Sequence, residues 1–213
     1  MIRVVSFDLD GTLIKTSFAD SYWLEGLPRV YANEKGVSLE KAKAILFKDY
    51  EAIGKERIEW YEPAYWFNRY NLKYSWRKLM EDYKSTIEPY PDALSTLERL
   101  KEKYRLVILS NAERIFVEIE LEKTNFSHYF SEIFSSVTDF GMVKKNAEVY
   151  RKVCSTLGIE ENEMVHVGDD RLFDYEIPKS VGINALHLNR NADSEENHII
   201  NSLNSLPDII SRF

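Results

Sequence analysis

A single cysteine, Cys154, among 213 residues means that the chain can close no internal disulfide and build no cysteine-rich zinc site, which suits a reducing compartment. Glutamine is missing altogether, a trait of heat-adapted proteins that the plentiful asparagine offsets. No stretch approaches the roughly 18 apolar residues of a membrane span. The opening run Met1-Ile-Arg-Val-Val-Ser-Phe-Asp8 meets an acidic residue before a signal-peptide apolar region can develop, so the expected location is cytoplasmic. Basic residues are in deficit, with 28 Lys plus Arg against 35 Asp plus Glu and a formal net charge of −7. That balance argues against binding nucleic acid or an anionic membrane through a broad basic surface, and leaves room only for a local basic pocket.

What is present is enough for a globular fold, because 44% hydrophobic residues can fill a core and 30% charged residues can cover it. Short runs rich in β-branched and aromatic residues recur at Ile2 to Phe7, Leu106 to Leu109, Ile133-Phe134, Met164 to Val167 and Ala185 to Leu188, and read as buried strands. Helical patterns separate them: Ala93, Leu94, Leu97 and Leu100; Ile115 through Leu121; and Val149, Val153 and Leu157. Alternation of this kind predicts right-handed βαβ crossovers. The expected fold class is therefore α/β, a Rossmann-like, mostly parallel sheet with helices on both faces. Asn189 to Asn201 reads as a polar loop leading to a final short helix.

Residues 15–87 break that rhythm. They offer no convincing strand and read as several helices, with turn signals at Gly26-Leu-Pro28, Gly36, Gly54 and Pro63. Fifteen of the 28 aromatic residues, including Trp23, Trp60, Trp66 and Trp76, fall here, and the segment carries 13 basic against 11 acidic residues. An inserted, all-helical domain with an aromatic core of its own is the expectation, leaving 1–14 and 88–213 as the α/β core.

Polar residues collect where the expected strands end. Asp8 and Asp10, at i and i+2, share a side at the end of the first strand, where α/β sheets place ligands, and Gly11 and Thr12 let the chain turn there and supply a hydroxyl. Two crowded carboxylates repel, and a divalent cation relieves that repulsion. Taken alone, the four residues also suit a plain turn. Ser110-Asn111 follows the second strand, and Lys144-Lys145 precedes the Val149 helix, where a cation opposes the helix dipole. Gly168-Asp-Asp-Arg-Leu-Phe-Asp174 brings further carboxylates to the end of another strand, of which Asp169 or Asp170 could serve as a helix cap. His166 and His187 lie within apolar runs and read as core or edge histidines, and Cys154 as a small buried hydrophobe.

The order and spacing of Asp8-Leu-Asp-Gly-Thr12, Ser110-Asn111, Gly141-Met-Val-Lys144 before Val149-Tyr150, and Gly168 to Asp174 resemble the haloacid dehalogenase superfamily, in particular phosphatase-type members with a helical cap inserted after the first motif. Lys145 stands where the family usually has proline, and Ile177-Pro178-Lys179 where it favours small residues. The resemblance implies a core in 1–14 and 88–213 and a cap in 15–87. It implies Asp8 as nucleophile toward phosphorus, Asp10 as general acid and base, and Ser110 and Lys144 as catalytic partners. Thr12, Ser110, Asn111 and Lys144 would hold the substrate phosphate. Mg2+ would sit on the Asp8 carboxylate, the Asp10 main-chain carbonyl and the Asp169 carboxylate, supported from behind by Asp174.

The expected activity is a magnesium-dependent phosphatase acting on a small phosphomonoester, as monomer or homodimer, with neither nucleic acid nor membrane as a partner. A phosphomutase on the same motifs is the alternative. A haloacid dehalogenase needs no acid at the second aspartate, and a non-catalytic binding module has no use for all of Asp8, Asp10, Ser110, Lys144 and Asp169. Arg29, Arg57, Arg69 and Arg77 could meet an anionic leaving group or lie exposed on helices.

Overall fold

Runs of apolar residues with no polar face are stable only in strands covered on both sides, and each of the five runs becomes such a strand. The protein is described from a computed structural model over residues 1–144, 146–192 and 198–213. Strand β1 (Val4–Phe7) opens the chain, and helices α1 (Ser17–Asp20), α2 (Leu27–Lys35), α3 (Leu39–Ile53), α4 (Pro63–Arg69) and α5 (Trp76–Tyr83) follow. Then come α6 (Ala93–Lys101), β2 (Arg105–Ser110), α7 (Arg114–Thr124), β3 (Glu132–Ser135), α8 (Ser136–Phe140) and α9 (Glu148–Leu157). The chain continues through β4 (Met164–Gly168), α10 (Ile177–Ser180), β5 (Asn184–Leu188), β6 (Ile199–Ile200) and α11 (Leu206–Ile210). Among the described residues no helix is long and apolar enough to cross a membrane.

All pairings in the sheet are parallel, in the order β3-β2-β1-β4-β5-β6. The order runs one way from β1 to β3 and the other way from β4 to β6, so right-handed crossovers place helices on both faces and open a crevice at the carboxyl ends of β1 and β4. Phe7 is in register with Val167 and with Ile108. Asp8 and Gly168 therefore leave the sheet side by side, and the Asp8 N–H donates to the Val167 carbonyl at 2.9 Å.

The two-residue repeat of a strand assigns the faces. Val4, Val107, Leu109, Phe134 and Met164 pack against Val149, Tyr150, Val153, Cys154 and Leu157 of α9, whose apolar stripe follows the helical period. Each aliphatic side chain buried in this way stabilises the fold by about 1.5–3 kcal/mol. Ser6 and His166 stand two residues on from Val4 and Met164 and so face the same way.

The chain divides into two compact units, Met1–Lys15 with Pro89–Phe213, and Thr16–Glu88. The second unit is helical and centres on Tyr50, whose ring meets Trp23, Trp60 and Trp66 edge-on and whose hydroxyl donates to the Trp23 carbonyl at 3.0 Å.

Three expectations need correction. The turn expected at Gly26-Leu-Pro28 is helix: α1 passes through a wide π-type turn over Ser21–Gly26 straight into α2. Pro28 sits in the first turn of α2, where a missing N–H is tolerated, and a Cβ on Gly26 would lie 2.6 Å from the Tyr83 ring. Gly26 thus marks a close approach between helices and no turn. Leu94, counted in the apolar pattern of α6, is 46% exposed, and the helix buries Ala93, Thr96, Leu97 and Leu100. The polar loop expected over Asn189 to Asn201 contains β6, whose Ile199 pairs with His187, and residues 193–197 of it lie outside the described residues. Two apolar residues are too few to show a period, so pairing with β5 decides their state.

Filling the Gly26 contact should be costly. Gly26→Val forces Tyr83 to move and lowers the unfolding free energy by about 1–3 kcal/mol, as read by urea denaturation; an unchanged midpoint would show that the contact yields without strain.

Candidate active site

Every residue of the candidate site belongs to the unit formed by Met1–Lys15 and Pro89–Phe213. Beyond β1 the chain folds into a tight turn in which the N–H groups of Thr12, Leu13 and Ile14 all donate to the Leu9 carbonyl. Gly11 holds φ at +80°, and a Cβ there would lie 2.3 Å from the Asp169 carboxylate. Glycine is required on both counts, and its absent side chain is the space into which Asp169 fits. Asp8 is buried at the foot of this turn, and the Thr12 hydroxyl donates to its Oδ2 at 3.5 Å.

Lys144, only 2% exposed, projects into the same place. Its ammonium donates to Asp8 Oδ1 at 2.5 Å, to Asp174 Oδ1 at 2.6 Å and to the Leu109 carbonyl at 3.3 Å, which accounts for all three of its hydrogens. Asn111 fixes the backbone behind it, accepting on Oδ1 from the Lys144 N–H at 2.8 Å and from the Ser136 hydroxyl at 2.6 Å. Lys144 is thus no solvated helix-start cation; Lys145 lies outside the described residues.

Asp174 is the hub on the far side of that ammonium. Its Oδ1 takes Lys144 and the His166 Nε2–H, the latter at 3.1 Å, and its Oδ2 takes the Asp170 N–H at 3.0 Å. Asp170 caps the helical segment that follows, its Oδ1 accepting from the N–H groups of Leu172 and Phe173, both at 3.0 Å. Asp169 turns its carboxyl toward Asp8 and Asp174, and one oxygen from each of the three lies within 4.8 Å of the others. The His187 Nε2–H donates to the Asp169 carbonyl at 3.0 Å.

Charge sets the protonation of these groups. Burial by itself would strip the Lys144 ammonium of its proton, but Asp174 and Asp8 hold its pKa well above the ordinary lysine value. For Asp174 burial works upward, and Lys144 and His166 overcome it, keeping the carboxylate ionised below the usual range. Asp8 moves the other way: burial pushes it well up, Lys144 pulls it down, and the neighbouring Asp174 and Asp169 add to the rise. Asp169 is pushed up to about 6, first by burial and then by Asp174. The site carries an excess of negative charge that a cation would offset.

Ser110 ends β2 with its Oγ accepting from the Ala112 N–H at 3.0 Å, which leaves its own hydrogen to donate elsewhere. Arg190, on the loop after β5, grips Asp92 with two bonds of 2.9 and 3.1 Å and donates to the Thr12 carbonyl at 2.8 Å, tying the Asp10-Gly-Thr turn to the start of α6. Arg29, Arg57 and Arg69 pair with Glu25, Glu59 and Asp49, and Arg77 lies over the Trp76 ring.

One partnership and one acid-base group escaped the sequence reading. His166 is buried in the core, as expected, but lies against Asp174. Glu120 is fully buried on α7. Burial, then the charge of the nearby Asp10, push the Glu120 carboxyl well above its ordinary value. The signal was available, since Glu120 falls on the same helix face as the buried Phe116 and Val117.

Residues 2–182 match the haloacid dehalogenase-like hydrolases. The chain belongs to that family. A HAD phosphatase from Thermococcus onnurineus superposes on this hydrolase with a TM-score of 0.86 and 26% identity, covering 98% of each chain. The glyceraldehyde 3-phosphate phosphatase of Methanocaldococcus jannaschii is 23% identical over 99% of this chain and 97% of its own. The (S)-2-haloacid dehalogenase 4A of Burkholderia cepacia is 28% identical over 63% of this chain and 60% of its own.

Two outcomes follow for the hydrolase. Lys144→Met leaves Asp8 and Asp174 buried without their cation and should cost about 3–5 kcal/mol of stability in urea titrations. A carboxyl whose folded pKa is raised binds its proton more tightly in the folded state, so it stabilises at low pH and that stability is lost as pH rises. In the presence of EDTA the melting temperature should fall between about pH 4 and pH 6, and Asp169→Asn should flatten part of that fall. A wild-type profile that runs parallel to that of Asp169→Asn over this interval in calorimetry would contradict the raised Asp169.

Proposed function

We propose that this hydrolase is a magnesium-dependent phosphatase that cleaves a small phosphomonoester through an aspartyl-phosphate on Asp8. The observation that carries the reading is the buried Lys144 ammonium, 2.5 Å from Asp8 at the carboxyl end of β1. A carboxylate that must approach a phosphate dianion needs such a cation. The phosphatases among the relatives support the same chemistry.

The donor set fits a hard divalent cation. Oxygens of Asp8, Asp169 and Asp174 converge within 4.8 Å, and the missing side chain of Gly11 lets the Asp169 carboxylate in. With its two oxygens taken by Lys144, His166 and the Asp170 N–H, Asp174 acts from behind. The ligands would be the carboxylates of Asp8 and Asp169 and the main-chain carbonyl of Asp10. Magnesium there supplies positive charge that lowers the cost of ionising Asp8 and polarises a phosphoryl oxygen.

The remaining chemistry belongs to the chain. Asp8 attacks phosphorus, the bond to the ester oxygen breaks, and Asp10 delivers its proton to the departing alkoxide. Water then attacks the phosphorus of the acyl phosphate while Asp10 takes a proton from it, and the bond to Asp8 breaks to free inorganic phosphate. Ser110, through the hydrogen left to it, Thr12 and the Asn111 main-chain amide hold phosphoryl oxygens, with Lys144 offsetting their charge. Catalysis is assigned to the unit that contains these residues, and the role of cap to the helical unit Thr16–Glu88.

The test is phosphate release from p-nitrophenyl phosphate and a panel of small phosphomonoesters. EDTA should abolish turnover and magnesium restore it, and Asp8→Asn, with an unchanged circular dichroism spectrum, should lower kcat by about 1,000-fold or more. Release by Asp8→Asn at the wild-type rate, or no release by the wild type from any ester, would sink the reading.

A further inference from the structure

We infer that His166 is a positioning residue, whose Nε2–H fixes the Asp174 carboxylate and, through it, the Lys144 ammonium against Asp8. The inference rests on the proposed reaction only where it concerns turnover. Ser6 and His166 are register partners on β1 and β4, so their side chains leave the same face of the sheet next to one another. The imidazole is wholly buried there, with Nδ1 2.9 Å from the Ser6 hydroxyl oxygen, Nε2 3.1 Å from Asp174 Oδ1 and the Tyr150 ring edge-on at 5.2 Å. An ionised carboxylate can only accept, which places the hydrogen on Nε2, and the Ser6 hydroxyl then donates to Nδ1.

A neutral ring is the form this pocket favours, since burial, with the charge of Lys144, lowers the imidazole pKa against the upward pull of Asp174. Orientation is what the ring contributes. Asp174 Oδ1 is shared by Lys144 and His166. Without the second donor that oxygen can turn about the end of its side chain, and the ammonium that follows it leaves Asp8. Ser6, His166, Asp174, Lys144 and Asp8 thus form one line of hydrogen bonds that begins on β1 and ends on the residue just after it. Because its ends are two residues apart in the chain they cannot drift apart, and a shift at His166 is felt at Asp8.

The test compares H166Q, whose amide nitrogen can take the place of Nε2, with H166N and H166L, which have no donor there. Long-range 15N spectra of the wild-type imidazole should show Nε2 protonated, and the Lys144 ammonium should give a 1H–15N signal that survives in H166Q and is shifted or lost in H166N and H166L. On p-nitrophenyl phosphate, H166Q should stay within about threefold of wild type, while H166N and H166L lose about 10- to 100-fold in kcat with little change in KM. An unprotonated Nε2, or an unchanged Lys144 signal and kcat in H166N and H166L, or an H166Q as impaired as H166L, would overturn the inference. Should H166L fail to fold, the contrast between H166Q and H166N decides. Should the wild type release no phosphate, the phosphatase reading falls and the two NMR signals alone decide for or against His166.

Discussion

A lysine ammonium removed from water is among the most expensive groups a protein can bury, and it survives in the interior only when carboxylates and hydrogen bonds replace its hydration. Lys144 meets that condition with Asp8, Asp174 and the Leu109 carbonyl. Each partner must in turn be held in place. Asn111 grips the Lys144 backbone, His166 and the Asp170 N–H grip Asp174, and β1 delivers Asp8. The charge chemistry and the packing of the region are one constraint seen from two sides.

The sheet makes this meeting possible. Its order reverses between β1 and β4, so the loops after those strands leave in opposite directions and open a crevice above Asp8 and Asp169. The turn after β1 is braced from outside by Arg190, which spans Asp92 and the Thr12 carbonyl, while the Ser202 hydroxyl and the Leu203 N–H satisfy the same Asp92. A C-terminal segment that carries none of the motif residues therefore helps to hold the turn that does. Near that turn the buried Glu120 is pushed well above the ordinary carboxyl value by burial and by the charge of Asp10.

Much of this was legible in the linear sequence. Buried parallel strands are apolar along their whole length, and the five runs announce themselves without help from neighbours. Polar residues placed just after them belong at the sheet's carboxyl edge, which is why Asp8, Ser110 and Asp169 could be named before any coordinate was known. What could not be read was partnership at a distance. His166 looks like one polar residue in an apolar strand until its register with Ser6 brings it over Asp174. Glu120 looks like a solvated helix residue until α7 packs its face inward. Gly26 and Pro28 look like a turn until Tyr83 is found against Gly26.

The sequence by itself determined the strands, the alternation that makes the sheet parallel, the helical character of the inserted segment and the order of the motif residues, because periodicity and residue type are local properties carried by each stretch of chain. Only the tertiary structure decided that Lys144 is buried between two carboxylates, that Asp170 is a cap while Asp174 is a hub, that His166 lies against Asp174 and that Glu120 is buried near Asp10. Those outcomes depend on which side chains are removed from water together, and desolvation is a property of the packed whole that no single segment carries.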